Sequence, residues 1–112
     1  MAIVADLNAV HSDVIRTMQE LYGDRLNKII LYGSYARGDY HEESDVDYLV
    51  VLTDEHVSAF SEVATTRPAL NKVFDDSGID VSAFVVSNEK LTTSTKPFFK
   101  EVRKDGKAIY ER

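Results

Sequence analysis

The chain has 112 residues, 44% of them hydrophobic, with five Gly, two Pro and no Cys. That fits one domain with a modest core and leaves no room for a second domain of ordinary size; it excludes a disulfide framework and a thiolate metal site. A net charge of −6 argues against direct nucleic-acid binding, which draws most of its affinity from neutralising phosphates.

No apolar run approaches the roughly 20 residues of a membrane span, and the N-terminus lacks the basic-then-apolar pattern of an export signal. The expectation is a cytoplasmic domain over 1–112 with no membrane contact. Charge is uneven: residues 90–112 hold seven Lys/Arg against three Asp/Glu, while 1–89 are strongly acidic. The basic tail reads either as a solvated helix face or as a contact for an acidic partner or a triphosphate.

Ile3, Leu7, Val10, Val14, Met18 and Leu21 recur at steps of three and four, the apolar face of a first helix that ends near Gly23. Leu26 to Tyr32 is a short apolar run before a glycine and predicts a buried strand. One or two helical turns follow over 34–38, then an acidic loop over 39–44. Residues 45–52 alternate: Val46, Tyr48, Val50 and Leu52 share one face, and Asp45, Asp47, Leu49 and Val51 the other. A second helix is expected from about Glu55, with Val57, Phe60, Val63 and Ala64 facing inward and Pro68 ending or kinking it. Residues 79–86 read as a third strand with Asp80, Ser82, Phe84 and Val86 on one face. The polar stretch 87–96 reads as a loop. Thr95 is expected to cap a last helix with Pro97 at its first position and Gly106 at its end, and 107–111 can add an edge strand. The fold class is therefore α/β (α+β): a small mixed β-sheet covered by helices.

The chemistry concentrates in Gly33-Ser34, ten residues, then Asp45-Val46-Asp47. Gly33 lets backbone approach a ligand with no Cβ in the way. Ser34 opens a short helix whose free N–H groups and hydroxyl suit a phosphate oxygen. Asp45 and Asp47, two apart on a strand, point the same way, and carboxylates that close favour a cation between them. Mg²⁺ fits, because it takes oxygen ligands and bridges carboxylates to substrate phosphates. Asp80, near the start of another strand, is the natural third ligand. It would complete a cluster able to hold two metal ions and stabilise both the attacking and the leaving oxygen of an in-line displacement. Arg37 can reach a triphosphate or pair with Asp39 or Glu42. Tyr40 and His41 can flank a base or sugar, or be ordinary loop residues, and Lys90, Lys96 and Lys100 can attract phosphates or simply be solvated.

This Gly-Ser pair, ten residues, then Asp-X-Asp resembles the signature of the DNA polymerase beta-like nucleotidyltransferase superfamily. Gly33-Ser34-Tyr35-Ala36-Arg37-Gly38 and Ser44-Asp45-Val46-Asp47 are similar to its minimal nucleotidyltransferase branch, which consists of the catalytic domain alone. The resemblance implies the nucleotidyltransferase fold and Mg²⁺-dependent transfer of a nucleoside monophosphate, with ATP as the expected substrate, onto a hydroxyl. It also implies an antitoxin role in which AMP is placed on a tyrosine of a HEPN-domain partner. Alternatives are transfer to a small molecule such as an aminoglycoside, where a homo-oligomer could supply the acceptor site, and a binding module that neutralises its partner by contact alone. Tyr48 departs from the family's usual aliphatic residue, but on the face away from Asp45 and Asp47, so it concerns packing.

Overall fold

The computed structural model describes residues 7–41 and 44–112; Ile3 of the expected first helical face and Glu42 as a partner of Arg37 lie outside them. Helix α1 (Leu7–Tyr22) buries Val10, Val14, Met18 and Tyr22, one residue per turn. Tyr22 takes the last inward position that the apolar pattern assigned to Leu21, which is instead partly exposed. A 3₁₀ turn at Gly23–Arg25 leads into β1 (Leu26–Tyr32). The short α2 (Ser34–Arg37), β2 (Val46–Leu52), α3 (Ala59–Ser77) and β3 (Val81–Ser87) follow. The chain ends with α4 (Asn88–Thr93), α5 (Pro97–Asp105) and β4 (Lys107–Glu111).

The four strands form one mixed sheet in the order β3-β2-β1-β4. β1 pairs antiparallel with β2 and with β4, whereas β2 and β3 are parallel and joined by the α3 crossover. Strand alternation gives the sheet two different faces. Val46, Tyr48, Val50 and Leu52 join the core formed with α1 and α3. Leu49 and Val51 join Ile30, Val86, Leu91, Phe99 and Val102 in a second core under α4 and α5. β2 is therefore buried on both sides, which explains its near-continuous apolar sequence.

Helix α3 departs from expectation in start, face and length. Ser58 caps it by accepting the Ser61 N–H at 3.3 Å, so the helix begins at Ala59. Its inward stripe is Thr66, Leu70 and Val73; Phe60 is 90% exposed and Val63 47%, and Ala64 also faces water. Pro68 does not end the helix, which runs through it to Ser77 and stops at left-handed Gly78. Pro68 lies on an exposed side together with Ala64, the residue four positions back, so water can satisfy the carbonyl that the missing N–H leaves without its helical partner.

Two smaller corrections concern the C-terminal region. The polar stretch expected as a loop contains α4, capped by Ser87, whose hydroxyl accepts the Lys90 N–H at 3.1 Å. Lys96, not Thr95, is the cap residue of α5, with Pro97 at its first position as expected. Among the described residues, no helix is long and apolar enough to cross a membrane.

Tyr48 is fully buried, and its hydroxyl meets His11 Nδ1 of α1 at 2.7 Å. Burial lowers the His11 pKa and raises that of Tyr48, so the neutral pair is favoured. A histidine whose folded pKa lies below its unfolded value stabilises fully above the unfolded pKa, about 6.5, and loses that contribution as pH falls toward the folded value. Thermal melts between about pH 8 and 5.5 should therefore show a stability advantage of the parent over His11→Gln that shrinks as pH drops through about 6.5. A pH-independent difference between the two would mean that His11 titrates alike in both states.

Candidate active site

At the C-terminal end of β1 the chain turns sharply through Gly33, whose φ of 77° and ψ of −155° are accessible essentially only to glycine. The Gly33 carbonyl then accepts the Ala36 and Arg37 N–H groups, each at 3.1 Å, closing the single turn of α2. Left-handed Gly38 ends it and donates its N–H to the Ser34 carbonyl at 2.9 Å. Among the described residues, no side chain caps the start of this turn. Its first N–H groups thus lack intrahelical acceptors, and the half-buried Ser34 stands beside them.

Gly33 is favoured for a second reason. A Cβ built on it would overlap the Asp47 carboxylate, with the Asp47 Cγ only 3.3 Å away. The antiparallel register produces this contact, since Tyr32 pairs with Asp47 across β1 and β2. Tyr32 lies on the same sheet face, and burial together with the Asp47 charge pushes its phenol up to about 12.

The parallel pair β2–β3 brings in the second half of the site. Val46 pairs with Val81 and Asp47 with Ser82, so Asp45 and Asp80 lie level with each other just before the two strands. The Val46 N–H donates to the Asp80 carbonyl at 3.0 Å. By alternation Asp45, Asp47, Asp80 and Ser82 share the face that carries Leu49 and Val86 deeper in. Ser82 donates its hydroxyl to Asp47 Oδ1 at 2.7 Å. Asp45 and Asp80 are exposed and Asp47 is half-buried. Among the described residues, no group of three or more acidic or histidine side chains is drawn together tightly enough to hold a metal ion. The tight contacts of the site are those of Asp47 with Ser82 and Gly33, and the exposed Asp45 and Asp80 stand at its open edge. The donor set remains hard oxygen throughout, which suits Mg²⁺ with substrate phosphates completing the shell.

The other residues singled out in the sequence divide. Arg37 is exposed and pairs with Asp39 at 3.2 Å, an ion pair that raises its pKa. It also lines a cleft of about 320 Å³ beside the site, together with Tyr32, Gly33, Phe98, Glu101 and Asp105. Tyr40 stacks on Tyr35, with centroids 4.3 Å apart and planes within 4°, and packs against the core. His41 takes part in a turn: its N–H donates to the Ser44 hydroxyl at 3.0 Å, and its carbonyl accepts the Ser44 N–H at 2.9 Å. Phe98 packs edge-on against both Tyr32 and Phe84 and is partly buried. Lys90 and Lys96 line a separate cleft with Phe84 and Phe98, and Lys100 is exposed.

Sequence reasoning passed over Ser82 and Tyr32. Ser82 shares a face with Asp80 by alternation, but only the parallel register shows that it meets Asp47. Tyr32 was visible as the last strand residue before Gly33, without any sign of what lay opposite.

The model of the nucleotidyltransferase domain family matches residues 11–111. A Methanocaldococcus jannaschii relative named as a protein adenylyltransferase is 33% identical over 99 residues, covering 88% of this chain and 92% of its own. A second relative of that name and organism is 31% identical over 107 residues, 95% of this chain and 73% of its own. Among solved structures, a Sulfolobus solfataricus protein described as a nucleotidyltransferase superposes with a TM-score of 0.68 at 18% identity, over 100% of this chain and 89% of that one. A toxin–antitoxin structure with AMP-PNP gives 0.65 at 20% identity, over 91% of this chain and 73% of that one. A tri-AMPylated Shewanella oneidensis HEPN toxin in complex with an MNT antitoxin gives 0.60 at 17% identity, over 94% of this chain and 72% of that one. The fold of these structures is the one described above.

The close approach of Gly33 and Asp47 can be measured directly. Gly33→Ala should cost about 1–3 kcal/mol of stability in a melt, from the left-handed backbone and the overlap together. In an Asp47→Ala background the same change should cost less, because the overlapping carboxylate is gone. An equal cost in both backgrounds would assign the whole effect to the backbone.

Proposed function

The chain belongs to the nucleotidyltransferase domain family, and from that footing we propose that it transfers AMP from ATP to a tyrosine hydroxyl of a HEPN-type partner protein, acting as the antitoxin of the pair. The observation that carries the reading is the Gly33–Asp47 contact. It sets a carboxylate against a glycine turn whose N–H groups and Ser34 hydroxyl are suited to phosphate. The choice of a protein acceptor is supported by the names of the relatives and by the AMPylated HEPN toxin bound to one structural neighbour.

In this reading Asp45 and Asp47 would hold Mg²⁺, with a second ion when Asp80 joins them, and the metal would supply positive charge against the triphosphate and the departing pyrophosphate. The Ser34 hydroxyl and the first N–H groups of α2 hold a phosphate oxygen, and Arg37 exchanges Asp39 for the triphosphate. Asp80 receives the proton of the acceptor hydroxyl. The hydroxyl oxygen bonds to the α-phosphorus, the bond from that phosphorus to the bridging oxygen breaks, and pyrophosphate leaves. The chain's own contribution is chiefly positioning and fixed charge, which is where phosphoryl-type transfers gain most of their rate. The partner surface supplies the remaining alignment of the tyrosine, and the reaction takes place in the cytoplasm.

The test is mass spectrometry of a HEPN-type partner, such as one encoded beside this protein, after incubation with the domain, ATP and Mg²⁺. Mass gains of one or more AMP units on tyrosine are expected, and none with Asp45→Asn or Asp47→Asn. Ser34→Ala should slow transfer roughly ten- to a hundredfold, the worth of one charge-assisted hydrogen bond. Robust transfer to a small-molecule hydroxyl with none to the partner would replace this acceptor, and toxin neutralisation by Asp47→Asn at full strength would replace catalysis with contact.

A further inference from the structure

The carboxylate of Asp47 is held at one oxygen and turned toward the glycine turn with the other. The Ser82 hydroxyl, delivered by the parallel β2–β3 register, donates to Oδ1 at 2.7 Å. The other oxygen, Oδ2, is the Asp47 atom nearest to where a Gly33 Cβ would stand, so it faces the glycine turn. An aspartate's terminal torsion is otherwise soft and roughly two-fold, so an unrestrained carboxylate would sample many orientations. The hydroxyl removes that freedom. It occupies one oxygen and leaves the other directed at the Gly33-Ser34 segment, where the phosphates are read to lie.

We propose that Ser82 is a positioning residue that fixes which oxygen of Asp47 is presented to the metal–nucleotide complex. The proposal rests on the reading of Asp47 as a metal ligand. Ser82 itself touches neither nucleotide nor acceptor, and its effect passes through Asp47. The energetic logic is that of an outer hydrogen bond holding a ligating carboxylate: the orienting partner is lost without loss of the ligand, and affinity falls while the site persists. Because Ser82 is half-buried within a strand, its removal must be separated from a general loss of stability.

The measurement is Mn²⁺ binding to the whole chain in the presence of a non-hydrolysable ATP analogue, followed by electron paramagnetic resonance of free Mn²⁺, with a thermal melt of each variant. Ser82→Ala should weaken Mn²⁺ binding at least about tenfold, within the range for outer-shell partners of metal ligands. Ser82→Thr, which keeps the hydroxyl and suits a strand, should bind within about twofold of the parent. Ser82→Cys is similar in size but a weak donor, and should behave like the alanine variant even if Ser82→Ala folds poorly. In an Asp47→Asn background, Ser82→Ala should have little further effect on binding. Unchanged Mn²⁺ affinity in folded Ser82→Ala or Ser82→Cys, or equal weakening in Ser82→Thr, would overturn the positioning role while leaving the metal reading intact. A parent chain that fails to bind Mn²⁺ with the analogue would overturn the metal reading, and the role of Ser82 with it.

Discussion

The antiparallel pairing of β1 with β2 is the constraint on which the site depends. It places Tyr32 opposite Asp47 and thereby brings the Gly33 turn against the Asp47 carboxylate, with no room for a Cβ between them. Every other feature of the candidate site is arranged around that contact. The short α2 turn is launched from it, the cleft lined by Tyr32 and Arg37 opens beside it, and β3 brings Ser82 to its far side. A one-residue slip of this register would turn Asp47 into the α1/α3 core and Tyr48 toward the Gly33 turn.

That sensitivity matters because β2 is buried almost throughout and still carries Asp47 near its N-terminal end. The strand is covered on both faces over most of its length; Asp47, its one acidic residue, lies beside the Gly33 turn, and Asp45 just precedes the strand. On one face Tyr48 closes the core through its bond to His11; on the other, Leu49 and Val51 join the second core on the face that Asp47 shares. The rigid part of the fold is thus directly continuous with the exposed part, and a charged side chain two residues from the interior inherits its fixed backbone.

The family match supplies the reaction class, the structural neighbours share the fold, and the geometry gives the arrangement of the candidate residues. Asp47 is held by Ser82 and lies against the Gly33 turn, whereas the exposed Asp45 and Asp80 stand just before their strands. The exposed Phe60 and Val63 on α3 lie outside this arrangement and belong to neither of the two cores.

Much of this was legible in the sequence, because local periodicity and spacing carry it. The first helix, the three longer strands, the turn at Gly33-Ser34 and the shared face of Asp45 and Asp47 follow from steps of two, three and four residues and from where glycine stands. The family resemblance rested on the same short segments. What local pattern could not give was anything set by partners distant in the chain. Phe60, Val63 and Ala64 form an apolar stripe, but the Ser58 cap and the packing of Leu70 and Val73 rotate α3 so that the stripe faces water. Pro68 signals a helix end, yet the helix runs through it, on an exposed side where water can reach the Ala64 carbonyl. The polar stretch after β3 reads as loop, but the Ser87 hydroxyl nucleates a helix there. The hydrogen bond from Ser82 to Asp47 spans 35 residues and exists only because β2 and β3 are parallel and in that register. Alternation along a strand fixes which face a side chain takes, but only the pairing between strands fixes which side chain it meets.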